Sequence, residues 1–169
     1  MNTAGAYNLK QVADKEYMSY SAITSLCQDY KGLMWIGTCD GLNVYDGRAV
    51  EEFKICDKEG YLSGNQIDNI IYTGDDTYWF QTYYSLIRLD RKTNSITRFY
   101  EFQKLFPMNK DNHGTLFIIK DSDCVYYFHK KEGVFKKINV AGIPISDVIT
   151  FFFDNNNRMW VIMRGYNRC

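Results

Sequence analysis

The sequence predicts an all-β protein made of short antiparallel strands. Aromatic residues, which favour strands and pack well on pleated surfaces, make up 17% of the 169 residues. Turn residues interrupt the chain at short intervals, and no stretch keeps the period of an amphipathic helix. The 46% hydrophobic and 24% charged residues are typical of a globular domain.

One short signal occurs four times along the chain. In each copy a polar turn is followed by a strand-forming segment that closes on an aromatic residue, at residues 29–35, 73–79, 111–117 and 154–160. The intervals between the closing aromatics are close to the ~40–45 residues of a propeller blade. The flanks also match, because residues 38–46 after the first copy resemble residues 82–90 after the second. The repeat therefore covers nearly the whole chain.

The turn that opens each copy has a stereochemical reason. In residues 29–32 and 111–114 the pattern Asp-x-x-Gly suits a type I turn, in which the carboxylate caps backbone N–H groups. The glycine then adopts the positive φ that follows such a turn. In the other two copies Asp76 and Asn157 take this position, and these residue types tolerate positive φ next best.

The segments after each turn predict the remaining strands. Residues 33–38 are short, rich in strand formers and bounded by turns, which predicts a buried strand. The Asp-Gly pair at 46–47 is the strongest short hairpin signal, and residues 90–94 and 130–133 play the same part later. An alternating segment such as residues 50–55 follows each hairpin. Each copy is therefore predicted to form four antiparallel strands.

Four-stranded units of this length, repeated radially, are the blades of a β-propeller. We predict a partial β-propeller of about three and a half blades: blade 1 at residues 17–55, blade 2 at 61–102, blade 3 at 106–140 and an incomplete blade 4 at 143–169. Residues 1–16 form an N-terminal segment that could supply a strand to another blade. An open array exposes an apolar face and an unpaired edge. We therefore expect a second copy of the chain, or the remaining blades of a longer protein, to cover it.

The charge balance argues against one class of partner. The 20 Lys and Arg residues match 20 Asp and Glu residues and no basic tract is present, so we expect no nucleic acid partner. The longest apolar run, residues 148–153, is far too short to cross a bilayer, so we expect no membrane insertion by this segment. The N-terminus lacks the basic and apolar stretches of a secretion signal, which leaves export undecided.

Residues 23–46 closely resemble the two-component regulator propeller repeat. That repeat builds the periplasmic sensor regions of hybrid two-component systems, which join a histidine kinase to a response regulator, in polysaccharide-degrading gut bacteria. Later copies depart from the pattern, with Gln81 in place of glycine, Phe117 in place of tryptophan and Met163 in place of threonine. The resemblance implies a fragment of a seven-bladed propeller from the N-terminal, periplasmic part of such a sensor.

The function implied by the resemblance is signal recognition. The chain would bind a glycan-derived oligosaccharide together with the rest of the receptor, and binding would lead to transcriptional control of polysaccharide utilisation. The kinase of the family lies in domains outside this sequence, so we expect no enzymatic activity from the chain itself. The repeat motif is structural, and it transfers no ligand-binding residues to positions in this sequence.

Residues that break the repeat are the best candidates for ligand contact. Tyr83 and Tyr84 lie in the connection between the second and third strands of blade 2, where other copies carry small or polar residues. Arg88, Arg164 and Tyr166 lie at or near comparable blade ends, where an arginine could hold a sulfated or carboxylated sugar by paired hydrogen bonds. The alternatives are ordinary strand-edge tyrosines and solvated surface charge.

Other conspicuous side chains are better explained as core residues. Trp35, Trp79 and Trp160 could stack on sugars, but they recur at one position of the repeat, which predicts packing between sheets. Of the five cysteines, Cys27 and Cys39 fall inside strand-like segments and are predicted to be small core residues.

Two other function classes stay open. A fragment of a carbohydrate-active enzyme on a propeller is one, although the Asp-x-x-Gly spacing differs from the Asp-x-Gly box of sialidases and no nucleophile elbow accompanies His113 or His129. A protein-interaction scaffold of the WD-repeat kind is the other, although its Gly-His and Trp-Asp signatures are absent. Asp121 and Asp123 lack the remaining ligands of a calcium loop. We predict no catalytic residues, no metal site and no cofactor.

Overall fold

The structure is a computed structural model that describes residues 18–53, 56–57, 60–61, 66–120, 124–139 and 147–165. Within these residues it has sixteen strands and one 3₁₀ turn, Tyr100–Phe102. The predicted N-terminal segment 1–16 and the aspartates at 121 and 123 lie outside the described residues. We find no helix, among the described residues, with the length and apolar character needed to cross a membrane.

Three sheets have four strands each. The first sheet comprises β1 (Ile23–Gln28), β2 (Met34–Thr38), β3 (Gly41–Tyr45) and β4 (Val50–Glu52), and a short hairpin of β5 (Cys56–Asp57) and β6 (Gly60–Tyr61) follows it. The second sheet comprises β7 (Asn69–Gly74), β8 (Thr77–Gln81), β9 (Leu86–Asp90) and β10 (Ser95–Phe99). The third comprises β11 (Met108–Lys110), β12 (Leu116–Lys120), β13 (Cys124–His129) and β14 (Val134–Asn139). In the fourth, β15 (Val148–Phe153) pairs with β16 (Met159–Met163).

The sheets follow one another radially. In each sheet the strands are antiparallel and neighbours in sequence are neighbours in space. The first strands of successive sheets lie side by side, β1 beside β7, β7 beside β11 and β11 beside β15. This is the arrangement of propeller blades around an axis, and the sheets do not close into a ring within the described residues. The predicted all-β, partial β-propeller is confirmed.

Apolar side chains from facing sheets form the core. Successive side chains of β8 point alternately to the two neighbouring sheets. Tyr78 and Phe80 pack towards the first sheet, and Trp79 packs towards the third. All five residues of β8 are buried as a result. A strand covered on both faces is rich in apolar or aromatic residues, and Tyr78, Trp79 and Phe80 supply them at the centre of β8.

Two of the three tryptophans are fully buried between sheets. Trp35 is 0% exposed and contacts Tyr78 of the following sheet at 4.3 Å between ring centroids. Trp79 is 1% exposed and contacts Phe128 of the following sheet at 4.7 Å. The prediction of packing between sheets is wrong for Trp160, which is 51% exposed. The tryptophan packs towards the next sheet in chain order, and within the described residues no sheet follows the fourth.

The cysteine prediction is half right. Cys27 lies on β1 and packs against the core between the first two sheets. Cys39 is exposed, because it lies in the turn between β2 and β3 rather than inside a strand. Its N–H donates to the carbonyl of Ala22 at 3.2 Å, which holds the backbone while the side chain faces solvent.

Candidate functional site

Three of the four turns between first and second strands share one hydrogen-bonding pattern. In the first sheet, Oδ1 of Asp29 accepts hydrogen bonds from the N–H groups of Lys31 (2.9 Å) and Leu33 (3.0 Å). Asp111 and Asp154 cap the third and fourth sheets in the same way. The residues with positive φ in these turns are Gly32 (83°), Gly114 (76°) and Asn157 (60°). The predicted turn chemistry is therefore correct in these three sheets.

The carboxylate of Asp29 also joins two sheets. Its Oδ2 accepts hydrogen bonds from Nε1 of Trp35 at 3.1 Å and from the hydroxyl of Tyr78, in the second sheet, at 2.7 Å. Burial raises the pKa of the Asp29 carboxyl, but the bonds from Tyr78 and Trp35, and from the amides of Leu33 and Lys31, outweigh burial and hold the pKa below its ordinary value. Burial and the bond to Asp29 together raise the pKa of Tyr78.

The second sheet replaces this aspartate with Thr73. The turn there is a tight hairpin in which Asp75 and Asp76 both have positive φ, 52° and 57°. Nε1 of Trp79 donates to Oγ1 of Thr73 at 3.3 Å, a longer bond than the 3.1 Å bond from Trp35 to Asp29. The hydroxyl of Thr73 in turn donates to the carbonyl of Thr77 at 3.4 Å. Thr73 is therefore a weak substitute for the carboxylate.

The two candidate tyrosines lie in the turn between β8 and β9. Tyr83 and Tyr84 are 58% and 67% exposed. Their ring centroids lie 5.5 Å apart and the ring planes are nearly perpendicular, at 85°. The pair therefore presents two aromatic faces at right angles to solvent.

The turn that carries the tyrosines is held by its own hydrogen bonds. Oγ1 of Thr82 accepts from the N–H groups of Tyr84 (3.2 Å) and Ser85 (3.0 Å), and the carbonyl of Tyr83 accepts from the N–H of Lys104 at 2.7 Å. Thr38 holds the matching turn of the first sheet in the same manner. That turn carries no aromatic residue, so the fold does not require Tyr83 and Tyr84 where they stand.

The structure separates the three arginine and tyrosine candidates. Arg164 is exposed directly after β16, and its N–H donates to the carbonyl of Asp147 at 2.7 Å. The end of β16 corresponds to the end of β8, so Arg164 shares an end of the array with Tyr83 and Tyr84 but lies two sheets further on. Tyr166 lies outside the described residues.

Arg88 does not join the tyrosines. It lies in the middle of β9, opposite Trp79, and its guanidinium carbon lies 5.3 Å from the ring centroid of Phe128 in the third sheet. Its Nη2 lies 3.7 Å from Oδ2 of Asp90. Arg88 therefore faces the space between the second and third sheets, rather than a blade end.

Sequence reasoning missed the two features that the turn end of the sheets shows most clearly. The link from Tyr78 to Asp29 crosses between sheets, and a repeat alignment carries no signal for it. The exchange of aspartate for Thr73 was visible, because the three other copies carry aspartate at that position. Among the described residues, no three His, Cys, Asp or Glu side chains are grouped closely enough to hold a metal ion.

Comparison with known proteins agrees with this geometry. Residues 17–40 match the family model described as Two component regulator propeller, which confirms the resemblance of the first copy. No curated protein matches the chain.

Several solved structures share its fold. The extracellular domain of the putative hybrid two component system BT3049 from B. thetaiotaomicron has a TM-score of 0.69 at 16% identity, over 90% of this chain and 23% of that one. The extracellular domain of a second such system, BT4673, gives 0.66 at 16% identity, over 85% and 20%. Virginiamycin B lyase from Staphylococcus aureus gives 0.61 at 10% identity, over 84% and 49%. At these identities the likeness shows the propeller fold, and the chain spans about a fifth of the two sensor domains.

Proposed function

We propose that this chain is a ligand-recognising, non-catalytic part of an extracytoplasmic sensor of a hybrid two-component system, and that its ligand is an oligosaccharide derived from a glycan. The match of residues 17–40 and the likeness to extracellular sensor domains support the class of protein. The observation that carries the ligand class is the pair of exposed, perpendicular tyrosines on a turn that does not need them.

The chemistry of the pair suits a sugar. The C–H groups of a pyranose ring form apolar faces that stack on aromatic rings, while the tyrosine hydroxyls remain free to bond sugar hydroxyls. Because Thr82 fixes the turn, little conformational freedom is lost when a ligand binds. Arg164 at the same end could contact a charged substituent from two sheets away.

Signalling then follows from differential affinity. An oligosaccharide that binds one arrangement of the propeller and its neighbouring modules more tightly than another shifts the receptor towards that arrangement. The chain covers 20% and 23% of the two sensor domains it resembles, so the remaining blades would supply further contacts. The resulting shift would set the kinase state and, through it, transcription of polysaccharide utilisation.

The first test is a binding screen with a catalytic control. Neutral and acidic oligosaccharides of defined length are titrated into the purified chain by isothermal calorimetry, and each mixture is then assayed for released reducing ends. We expect at least one oligosaccharide to bind and none to be cleaved. Steady release of reducing ends, lost on heat denaturation, would overturn the proposal in favour of a carbohydrate-active enzyme.

The outer face of the fourth sheet suggests a second partner. Phe152 and Trp160 are exposed there and stacked, with centroids 6.5 Å apart and planes 10° from parallel. At the opposite end of the array Leu26 is 59% exposed, although Ile70, at the matching position in the second sheet, is buried. Among the described residues, no sheet covers either face in the way that the inner sheets cover one another. We propose that in isolation a second copy of the chain covers them, head to tail.

Solution mass tests this pairing. By size exclusion with light scattering over a concentration series, the chain is expected to be dimeric and the Trp160→Ser variant to shift towards monomer. Tyr100→Ser is the matched control, because Tyr100 is an exposed aromatic residue on the 3₁₀ turn, away from both faces. A wild-type chain that stays monomeric at every concentration would contradict the pairing.

A further inference from the structure

A narrow cleft lies between the second and third sheets, at the end of β8 opposite to the two tyrosines. It has a volume of about 100 Å³. Its lining includes Thr73, Trp79, Arg88, Phe128 and Lys130. The space can hold a group of a few atoms, while any larger part of a ligand would extend into solvent.

The matching space between the first and second sheets is filled by a side chain. Between the first and second sheets, the carboxylate of Asp29 fills the matching position and accepts hydrogen bonds from Trp35 and Tyr78. Between the second and third sheets, Thr73 replaces the aspartate and Leu116 replaces the tyrosine. The indole N–H that would meet a carboxylate is left with the 3.3 Å bond to the Thr73 hydroxyl.

The side chain opposite the tryptophan is a cation in the second sheet and an apolar residue in the first. Arg88 lies opposite Trp79, as Val44 lies opposite Trp35. The side chain of Arg88 is 23% exposed, and its Nε is fully buried with no hydrogen-bond partner among the described residues. The ring of Phe128 lies against the guanidinium and helps to hold it in place. A buried donor without a partner is costly, and an incoming acceptor would remove that cost.

The charges that line the cleft favour an anion. Arg88 and Lys130 are cationic, and Asp75 is the one carboxylate among the lining residues. Asp75 already pairs with Lys130 and lies 3.9 Å from Lys92, so it does not neutralise Arg88. Asp90 approaches Arg88 only at 3.7 Å and does not reach Nε within hydrogen-bond distance.

We propose that this cleft binds the carboxylate of a small acidic ligand, such as a uronic acid residue, in the position that Asp29 fills between the first two sheets. The guanidinium of Arg88 and Nε1–H of Trp79 donate to the carboxylate, and the hydroxyl of Thr73 lies beside it. The site is separate from the tyrosine turn and does not depend on a sugar binding there.

Glucuronate is the probe, with glucose as its neutral counterpart and inorganic sulfate as a second anion. Each is titrated into the full chain and followed by calorimetry and by indole N–H signals in NMR spectra. We expect glucuronate to shift the Trp79 indole signal and to bind at least ~10-fold more tightly than glucose, since a charge-assisted hydrogen bond is lost with glucose. Equal binding of glucose or no binding of glucuronate would each overturn the proposal, and tighter binding of sulfate than of glucuronate would overturn the assignment to a carboxylate.

Two variants test the assignment in opposite ways. Arg88→Val, which places the residue of the first sheet here, is expected to weaken glucuronate binding at least ~10-fold. Thr73→Asp supplies an internal carboxylate and is expected to abolish binding while raising the melting temperature. Arg48→Val is the control, because Arg48 is exposed on a turn of the first sheet, and binding should stay unchanged. Unchanged binding in a folded Arg88→Val variant, checked by circular dichroism, overturns the proposal even if Thr73→Asp fails to fold.

Discussion

Replacing Asp29 with alanine is expected to lower the free energy of unfolding by about 3–7 kcal/mol. The substitution removes the cap of the turn, worth about 1 kcal/mol. It also leaves the buried donors of Trp35 and Tyr78 without an acceptor, at about 1–3 kcal/mol each. A loss of this size is a large part of the stability of a typical domain. Urea unfolding at pH 7, followed by tryptophan fluorescence, measures it.

Two companion variants separate the parts of this effect. Tyr78→Phe removes only the bond between sheets and should cost about 1 kcal/mol. Asp154→Ala removes the matching bonds from a turn and its tryptophan, together with an exposed ion pair to Arg158, but Trp160 is exposed, so its donor finds water. The cost of Asp154→Ala should therefore be clearly smaller. An equal or smaller loss for Asp29→Ala would contradict the role of Asp29 in joining the two sheets.

The carboxylate of Asp29 also makes the free energy of unfolding depend on pH in acid, where it forms the acid limb of the stability curve. The pKa of Asp29 is lower in the folded chain than in the unfolded chain. The unfolded chain thus binds more protons at pH values between the two, and stability falls as the pH drops. The contribution is complete above the ordinary aspartate pKa of about 3.9 and disappears as the pH passes below the folded value. Asp29→Asn should make this limb shallower in urea unfolding measured from pH 6 to pH 2, and the slope that remains belongs to other carboxyl groups with a lowered pKa, such as that of Asp154.

Gly114→Ala is expected to lower the free energy of unfolding by clearly more than the cost of placing alanine in a left-handed conformation. A Cβ at residue 114 would overlap the carbonyl oxygen of Thr73 in the second sheet. The carbonyl of Thr73 belongs to the backbone, so it cannot move aside as a flexible side chain would. Overpacking of this kind costs about 1–3 kcal/mol, in addition to about 1–2 kcal/mol for a left-handed alanine.

Gly32 is the matched control for this substitution. It has nearly the same conformation, with φ of 83° against 76°, and the nearest atom to its added Cβ is Nε2 of Gln28, 3.9 Å away. Gly32→Ala should therefore cost only the left-handed term, about 1–2 kcal/mol. For a chain of this size each kcal/mol lowers the melting temperature by about 2–4 °C. Equal melting temperatures for the two variants would mean that the second and third sheets do not approach as closely as described.

The parts of the fold that repeat could be predicted from the sequence. The Asp-x-x-Gly turns and the buried tryptophans at 35 and 79 follow from local stereochemistry and from periodicity, which a single chain displays. Trp160 could not be placed in the same way, because its burial depends on a sheet beyond the fourth. Cys39 was misplaced because a short apolar segment does not reveal where β2 ends and its turn begins.

The candidate site was less accessible to sequence reasoning. Tyr83 and Tyr84 were found because they interrupt the repeat, but their perpendicular arrangement depends on the geometry of one turn. Arg88 was grouped with the two tyrosines from its position in the chain. In β9 successive side chains point to opposite faces of the sheet, and this alternation directs Arg88 into the space between the second and third sheets. The cleft beside it exists only because two sheets meet there, and contacts between sheets leave no periodic pattern.

Titration of an oligosaccharide found in the screen into the wild-type chain and the Tyr83→Ser, Tyr84→Ser double variant tests the proposed function most directly. The matching turn of the first sheet folds without aromatic residues, so circular dichroism should show an unchanged fold. Loss of both aromatic faces is expected to weaken binding by calorimetry at least ~10-fold, as for other truncated aromatic anchors. Equal affinity of the two chains would contradict recognition of the oligosaccharide at this turn.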